Sequence, residues 1–183
     1  VLQSKQFQAW RQSVEASGTK IDELKILGAI SRDEQTLLSA FVDCVMTTPE
    51  GNKVPRCLLL RGRSVVIVPV FYCEEEEVFT LMVQQRRPVD GEFALEFPGG
   101  LIEAKECDPI QVALREIQEE LDLHVIETEI KPLCEKPVKV CASMMDEMAH
   151  YFYFEKQCSL SWLQSHQDRI TGHHDDGEYL TVQ

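Results

Sequence analysis

The chain has 183 residues, enough for one sizeable core or for one core with a small appended unit. Its net charge of -13 argues against a nucleic-acid partner, because neutralising nucleic-acid phosphates needs a surface rich in Lys and Arg. No apolar run approaches the ~20 residues of a membrane-spanning helix, so we also expect no membrane partner.

The cysteine pattern and the N-terminus bear on cellular location. The seven cysteines are odd in number, scattered, and include no CxxC pair, which argues against a structural zinc site. We expect reduced, mostly buried thiols. The first residues lack a basic segment followed by an apolar block, so no secretory signal is expected. Together these features favour a cytoplasmic protein, with organelle targeting by a leader absent from this sequence as the alternative.

The predicted elements begin with a helix over residues 4–17, in which Phe7, Trp10 and Val14 recur at helical spacing. Two apolar, β-prone runs, FVDCVMTT and RCLLLRG, follow and are joined by the turn-rich segment PEGNKVP. This arrangement predicts a β-hairpin. Residues 1–60 are therefore expected to form a small N-terminal α/β unit.

The second predicted unit covers residues 61–183. The run SVVIVPVFY, at 64–72, is almost continuously apolar and predicts a central strand buried on both faces. Strands preceding a helix that itself lies between strands predict an α+β sandwich with a mixed sheet. The other expected elements are strands at 78–85 and 93–97, a helix at 109–122, and strands near 124–130, 149–154 and 179–182.

The predicted helix carries three carboxylates at close spacing. Glu116 and Glu120 are four residues apart and point in nearly the same direction, and Glu119 lies beside them. Two interpretations stay open on this pattern alone. The helix has either a solvated acidic face or a site for a hard divalent cation such as Mg²⁺ or Mn²⁺, which prefers carboxylate oxygens.

The segment GLIEAKECDPIQVALREIQEELDL resembles the Nudix box. That pattern is Gly, five residues, Glu, seven residues, Arg-Glu-apolar-x-Glu-Glu, one residue, Gly and an apolar residue. Two departures from it stand out. Eight residues separate Glu106 from Arg115, and Asp122 replaces the second glycine. The matching residues are Gly100, Glu106, Arg115, Glu116, Ile117, Glu119, Glu120 and Leu123.

Flanking segments resemble one subgroup of that family, the ADP-ribose and ADP-sugar diphosphatases. They are QQRRPVDGEFALEFPGGLIE, SMMDEMAHYFYFE and GEYLTV, and the N-terminal SKQFQAWRQSVEASG is similar to the leader of plant-type members. The resemblance implies a Nudix fold, an α/β/α sandwich, with a dimerising N-terminal unit and a homodimer. It also implies hydrolysis of a nucleoside diphosphate sugar to AMP and a sugar phosphate.

The resemblance further implies roles for individual residues. Arg115 would orient the helix carboxylates, and Glu120 and Arg115 would both be catalytic. Arg87 would clamp the diphosphate, and Glu147 would contact the substrate or an associated metal or water. The implied ligands of Mg²⁺ or Mn²⁺ are Glu96, the carbonyl of Gly99, Glu116, Glu119 and Glu120.

The general base is expected in the loop TGHHDDGEYLTV. Asp176 is the first candidate and Glu178 the second. The adjacent His173 and His174 are interpreted as loop residues rather than metal ligands. Other Nudix substrates, a UDP-sugar or a dinucleotide, remain as alternatives. So does a catalytically silent module that binds a nucleotide sugar, although the intact REIQEE argues against it.

Overall fold

The computed structural model describes residues 1–32, 37–74, 77–103, 108–172 and 179–183. The chain divides into two compact units. The first consists of Val1–Ser64, Leu101–Cys107 and Pro137–Ala149, and the second of Val65–Gly100, Asp108–Lys136 and His150–Gln183. The helices and strands, in chain order, are α1 Lys5–Ala16, β1 Lys20–Ser31, β2 Leu37–Thr47, β3 Lys53–Leu60, β4 Arg63–Tyr72, β5 Val78–Phe79, β6 Val83–Arg86, β7 Phe93–Glu96, β8 Gly99–Ile102, α2 Pro109–Leu121, β9 Lys131–Pro132, β10 Val138–Lys139, β11 Met148–Gln157, α3 Leu160–Gln164, β12 Ile170–Thr171 and β13 Leu180–Val182.

Helix α1 of the first unit confirms the predicted N-terminal helix. Ser4 caps it, because its hydroxyl accepts a hydrogen bond from the backbone N–H of Phe7 at 3.2 Å. Phe7 and Trp10 are its buried residues, and their rings pack with centroids 5.4 Å apart. The apolar stripe therefore anchors the helix through two aromatic side chains.

An antiparallel sheet of β1, β2 and β3 forms the rest of the first unit's core. The β2–β3 hairpin confirms the predicted one, whereas β1 was missed. Most β1 residues are exposed, so the strand lacks the regular alternation that marks a half-buried strand in a sequence. The core residues shared by the sheet and α1 are Phe7, Trp10, Leu37, Ala40, Val42 and Leu60.

Asp146 closes the loop that precedes β11 in the same unit. Its carboxylate accepts hydrogen bonds from the backbone N–H groups of Arg61 and Gly62, at 2.6 and 3.1 Å. Burial raises the pKa of Asp146, although those two N–H groups act in the opposite direction. This carboxylate therefore joins two distant segments of the first unit.

Strand β4 dominates the second unit. Val65, Ile67 and Phe71 are fully buried, whereas alternate residues on the other face are only half-buried. The expectation of burial on both faces was therefore only partly right. This strand pairs with β5, β8 and β11, and a separate four-stranded sheet has the order β12-β13-β6-β7.

Two other expected strands differ from the structure. The predicted strand at 78–85 is split, because β5 pairs with β4 whereas β6 joins β13 in the other sheet. The predicted strand near 124–130 is wrong, since Glu127–Glu129 form a 3₁₀-helix. There the Ile126 N–H donates to the Glu129 side chain at 2.9 Å, a local bond that competes with sheet pairing.

The broad class is nevertheless confirmed, since the described part of the chain is an α+β protein with many strands and few helices. Within those residues, no helix combines the length and apolar character needed to cross a bilayer. The expectation of mostly buried thiols was wrong. Of the six cysteines described, only Cys44 is buried, and all six are free.

Candidate active site

Helix α2 starts and ends as its sequence predicts. The Asp108 side chain accepts a hydrogen bond from the Ile110 N–H at 2.9 Å, and Pro109 occupies the first turn. The helix ends at Asp122, whose φ of 55° is left-handed. Aspartate tolerates this conformation better than most residues with a side chain. The replacement of the motif's glycine therefore leaves the helix exit intact.

The buried face of α2 is not purely apolar. Its buried residues include Ile117 and Leu121 but also Glu116 and Glu120. Only 7% of Glu116 and 2% of Glu120 is exposed. A solvated acidic face, the simpler of the two interpretations of the sequence, does not describe these two carboxylates. Burial of two like charges one turn apart is costly unless neighbouring groups offset them, and Arg115 beside Glu116 is one such group.

Two glycines at the start of β8 let the helix carboxylates approach the backbone. The N–H of Gly99 donates to Oε2 of Glu120 at 2.9 Å. A Cβ on Gly100 would lie under 3.0 Å from Oε1 of Glu116, and one on Gly99 would lie equally close to the carbonyl of Val65. Neither site accepts a side chain without movement. The glycines thus leave space that the Glu116 carboxylate occupies.

Arg115 lies between two of the helix carboxylates. Its guanidinium is 3.0 Å from Oε1 of Glu116 and 2.7 Å from Oε2 of Glu119. The planar fork of arginine suits such paired contacts and fixes the direction of each carboxylate. The contacts are those that an orienting residue would make, and the catalytic role of Arg115 remains a prediction.

The last turn of α2 is tied to the segment that leads into the predicted base loop. The hydroxyl of Thr171 donates to the carbonyl of Glu120 at 2.6 Å, and the N–H of Gly172 donates to the carbonyl of Glu119 at 3.1 Å. Two hydrogen bonds therefore connect the chain just before position 173 to the last turn of α2. The candidate bases Asp176 and Glu178, the loop residues His173 and His174, and Glu106 lie outside the described residues.

Arg87 and Glu96 contact each other at the β6–β7 hairpin. Nε of Arg87 is 2.7 Å from Oε1 of Glu96, and Nη2 bonds the other carboxylate oxygen. The hydrogen bond from Arg87 lowers the pKa of Glu96. Arg87 is predicted to clamp the diphosphate and Glu96 to bind the metal. Each role would require the residue to contact a ligand in addition to its partner in this pair.

Glu147 belongs to the first unit, whereas the α2 carboxylates belong to the second. It is 9% exposed, and its Oε2 lies 3.8 Å from Nε of Arg61. This is a partly buried ion pair, not an isolated charge at a strand edge. Its predicted role with substrate remains a prediction.

The α2 site can be tested for its fit to a divalent cation. Among the described residues, no three acidic, His or Cys side chains already form a ready-made metal cluster. The donor chemistry nevertheless suits Mg²⁺ or Mn²⁺, because two buried carboxylates and a third beside them present only hard oxygen ligands. The Gly100 cradle also holds Glu116 in place. The chemistry of these residues therefore fits such an ion, with Arg115 as the present partner of Glu116 and Glu119.

The first unit contains a feature that the sequence-based reasoning missed, a cavity of ≈ 870 Å³. Trp10, Leu58 and Met148 supply apolar wall, and Glu103 and Asp146 are its acidic residues. This combination suits an anion with an apolar body. The clustered arginines of RCLLLRGR were the signal in the sequence. The basic lining residues are Lys5, Arg56, Arg61, Arg63 and Lys139.

The glycine strand β8, the capped helix α2 and the two buried glutamates of α2 are the features to compare with known families. Comparison with protein families gives a match to the NUDIX domain over residues 60–181. The chain belongs to the NUDIX domain family. The match covers both strand β8 and all of α2.

Two individual proteins are similar to this chain. One is Nudix hydrolase 14, chloroplastic, from Arabidopsis thaliana, which is 23% identical over 139 residues. That alignment covers 72% of this chain and 45% of the relative, so the chain spans less than half of that protein's length. The other is the crystal structure of an ADP compounds hydrolase, with a TM-score of 0.53 and 14% identity, covering 75% of this chain and 67% of that one. The structural likeness confirms the predicted Nudix-like fold.

Proposed function

We propose that the chain hydrolyses the diphosphate bond of a nucleoside diphosphate sugar of the ADP-ribose or ADP-glucose type, giving AMP and a sugar phosphate. The observation that carries the proposal is the buried Glu116–Glu120 pair, held against Gly99 and Gly100. The names of the two similar proteins, a Nudix hydrolase and an ADP compounds hydrolase, support the reaction class and the adenine nucleotide.

The proposed cofactor is Mg²⁺ or Mn²⁺, held by Glu116, Glu119 and Glu120, with Glu96 and the carbonyl of Gly99 as further ligands. When bound, such an ion neutralises negative charge that develops on the diphosphate. The need for it follows from the charges, since an acidic protein of net charge -13 repels an anionic substrate. The carboxylates would hold the cation, and the cation would supply the positive charge that an anionic substrate needs.

The chain's own residues carry the remaining steps. Arg115 fixes the orientation of the Glu116 and Glu119 carboxylates, so these side chains need to reorganise less when substrate binds. Arg87 clamps the diphosphate with its guanidinium fork, exchanging part of its contact with Glu96. Glu147 contributes a carboxylate near the substrate or an associated water. Each of these roles is part of the proposal.

Asp176, with Glu178 as the second candidate, takes a proton from the attacking water. The water oxygen forms a bond to one phosphorus as the bridging P–O bond breaks, and the leaving phosphate carries away the electron pair. The hydrogen bonds from Thr171 and Gly172 to the last turn of α2 support this assignment. They connect the chain that leads to Asp176 and Glu178 with the turn that carries Glu119 and Glu120.

Two further proposals concern assembly and location. The N-terminal unit of residues 1–60 mediates a homodimer, and residues 61–183 form the hydrolase domain. The protein acts in the cytoplasm, a proposal to be compared with the chloroplastic label of its plant relative. Size-exclusion chromatography with light scattering tests the dimer, with and without residues 1–19.

The function is tested by incubating the protein with Mg²⁺ and each of ADP-ribose, ADP-glucose, UDP-glucose and a diadenosine polyphosphate, with products separated by chromatography. The expected result is AMP and a sugar phosphate from the first two substrates. Preferential cleavage of the other substrates would replace the substrate class. Binding of nucleotide sugars without turnover of any of them would indicate the silent module.

A further inference from the structure

The sulfur atoms of Cys73 and Cys158 lie close together in the second unit, and neither residue belongs to the proposed active site. The Sγ atoms are 3.6 Å apart, and the residues lie 85 positions apart in the chain. Cys73 directly follows β4 and Cys158 directly follows β11. The close approach therefore joins the ends of two strands that neighbour each other in one sheet.

The backbone holds the two cysteines in this position. The N–H of Cys158 donates to the carbonyl of Tyr72 at 3.1 Å, and the N–H of Cys73 donates to the carbonyl of Glu77 at 2.9 Å. A disulfide needs an S–S distance of about 2.05 Å, so each sulfur must move by only about 0.8 Å. Side-chain rotation can supply this movement without a change in strand pairing.

A small reagent can reach the pair. Neither cysteine is fully buried, and Cys158 lines a surface recess of ≈ 240 Å³ together with Gln157, Ser159 and Trp162. Both sulfurs belong to residues that lie outside the carboxylate face of α2. A reaction at this pair is therefore separable from the proposed hydrolysis.

We infer that Cys73 and Cys158 are a thiol pair that low-molecular-weight disulfides oxidise to an intramolecular disulfide. One cysteine, as thiolate, attacks a sulfur of the reagent, forms a mixed disulfide and expels one reagent thiolate. The second cysteine, as thiolate, attacks the protein sulfur of that mixed disulfide and expels the second reagent thiolate. The two cysteine protons end on the two reagent thiols, and two electrons reduce the reagent.

The disulfide restrains the unfolded chain across a long loop that contains all of α2. Oxidation should therefore stabilise the second unit and raise its Tm by roughly 5 °C or more. The reaction is slow at neutral pH, because burial, and then the hydrogen bond with Cys73, raises the pKa of Cys158 to about 11. The rate should increase as the pH rises towards that value.

Peptide mapping tests the pair directly, because trypsin places each cysteine alone in its own peptide, 64–86 and 157–169. The native protein is incubated with glutathione disulfide and digested without reductant. We expect the two peptides to be joined, with a mass about 2 Da below their sum, and to separate on reduction. Crosslinks only between other cysteines, or glutathione adducts alone, would overturn the inference.

Matched variants sharpen the test. Cys73→Ser and Cys158→Ser should each lose both the joined peptide and the rise in Tm, whereas Cys134→Ser, at an exposed cysteine, should keep both. A Tm rise that persists in Cys73→Ser would contradict the inference. If either serine variant fails to fold, the peptide map of the native chain still decides it.

Discussion

Helices α1 and α2 carry charged side chains at the same spacing with different consequences. On α1, Arg11 and Glu15 form an ion pair at 2.7 Å whose side chains are 53% and 49% exposed. On α2, Glu116 and Glu120 are both acidic and both buried. Exposed pairs of opposite charge contribute ~0.3–0.5 kcal/mol to the stability of a helix. Buried pairs of like charge oppose folding, and the proposed cation site on α2 would account for their presence there.

The largest expected effect comes from removing one charge on each helix by the same substitution. Glu120→Gln should lower the turnover of ADP-ribose by roughly 10²–10³-fold, because a cation ligand is lost from a buried site. Glu15→Gln should leave turnover unchanged, since it affects only the exposed pair. Steady-state rates at saturating Mg²⁺ measure both variants. Equal rates for native protein and Glu120→Gln would contradict the assignment.

The free energy of unfolding should respond differently from turnover in the same two variants. Without divalent cations, Glu120→Gln should unfold at an equal or higher urea concentration than native protein, because a neutral amide costs less to bury than a carboxylate. Glu15→Gln should lose at most ~0.5 kcal/mol. Urea unfolding in EDTA measures both. Marked destabilisation by Glu120→Gln would mean that the hydrogen bond from Gly99 to the Glu120 carboxylate stabilises the fold by more than the burial of that charge costs.

The second effect concerns the glycine that makes room for a buried carboxylate. Gly100→Ala should lower turnover by about tenfold or more, because the added Cβ displaces the Glu116 carboxylate. Gly28→Ala is the matched control, since an added Cβ there has no heavy atom within 4 Å. Rates and Tm are measured for both. Unchanged activity of Gly100→Ala would show that the position of Glu116 is not critical.

Cation binding should stabilise the protein through the α2 face only. At a Mg²⁺ concentration of about 100 times Kd, linkage predicts roughly 2.7 kcal/mol, or about 5–10 °C in Tm. The shift should be much smaller in Glu120→Gln and unchanged in Glu15→Gln. Thermal unfolding with and without Mg²⁺ measures it. An identical shift in all three proteins would indicate binding elsewhere.

The smallest effect is the pH dependence of the Arg87–Glu96 pair. Arg87 lowers the pKa of Glu96, so the pair's stabilisation is complete above the ordinary glutamate pKa of 4.5 and is lost as the pH falls through the lower folded value. Because both side chains are partly exposed, we expect less than about 1 kcal/mol. NMR titration of Glu96 in native protein and in Arg87→Gln measures the shift, which should disappear in the variant.

Local signals in the sequence were sufficient for much of the fold. The helix predicted at 109–122 corresponds to α2, and the spacing of Phe7 and Trp10 correctly predicted α1. Strand β1 was missed because its neighbours β2 and α1, and not its own pattern, decide its placement. The division of 78–85 likewise depends on two different sheets, which no local window contains.

The sequence predicted which residues form the candidate site, but it did not predict that two of them are buried. The sequence placed Glu116 and Glu120 on one side of a helix. In the structure both carboxylates lie against Gly99 and Gly100 of β8, a strand that is not among the expected elements. The cavity of the first unit was missed because folding brings Lys5 and Lys139 to the arginines of RCLLLRGR and supplies the apolar wall between them.

The most direct test of the central claim is a titration of the protein with Mn²⁺, followed by the electron paramagnetic resonance signal of the free ion. Native protein and Glu15→Gln should bind Mn²⁺ with the same affinity. Glu120→Gln should bind at least about tenfold more weakly. Equal affinity in all three proteins would contradict the account of the buried carboxylates on α2 as a cation site.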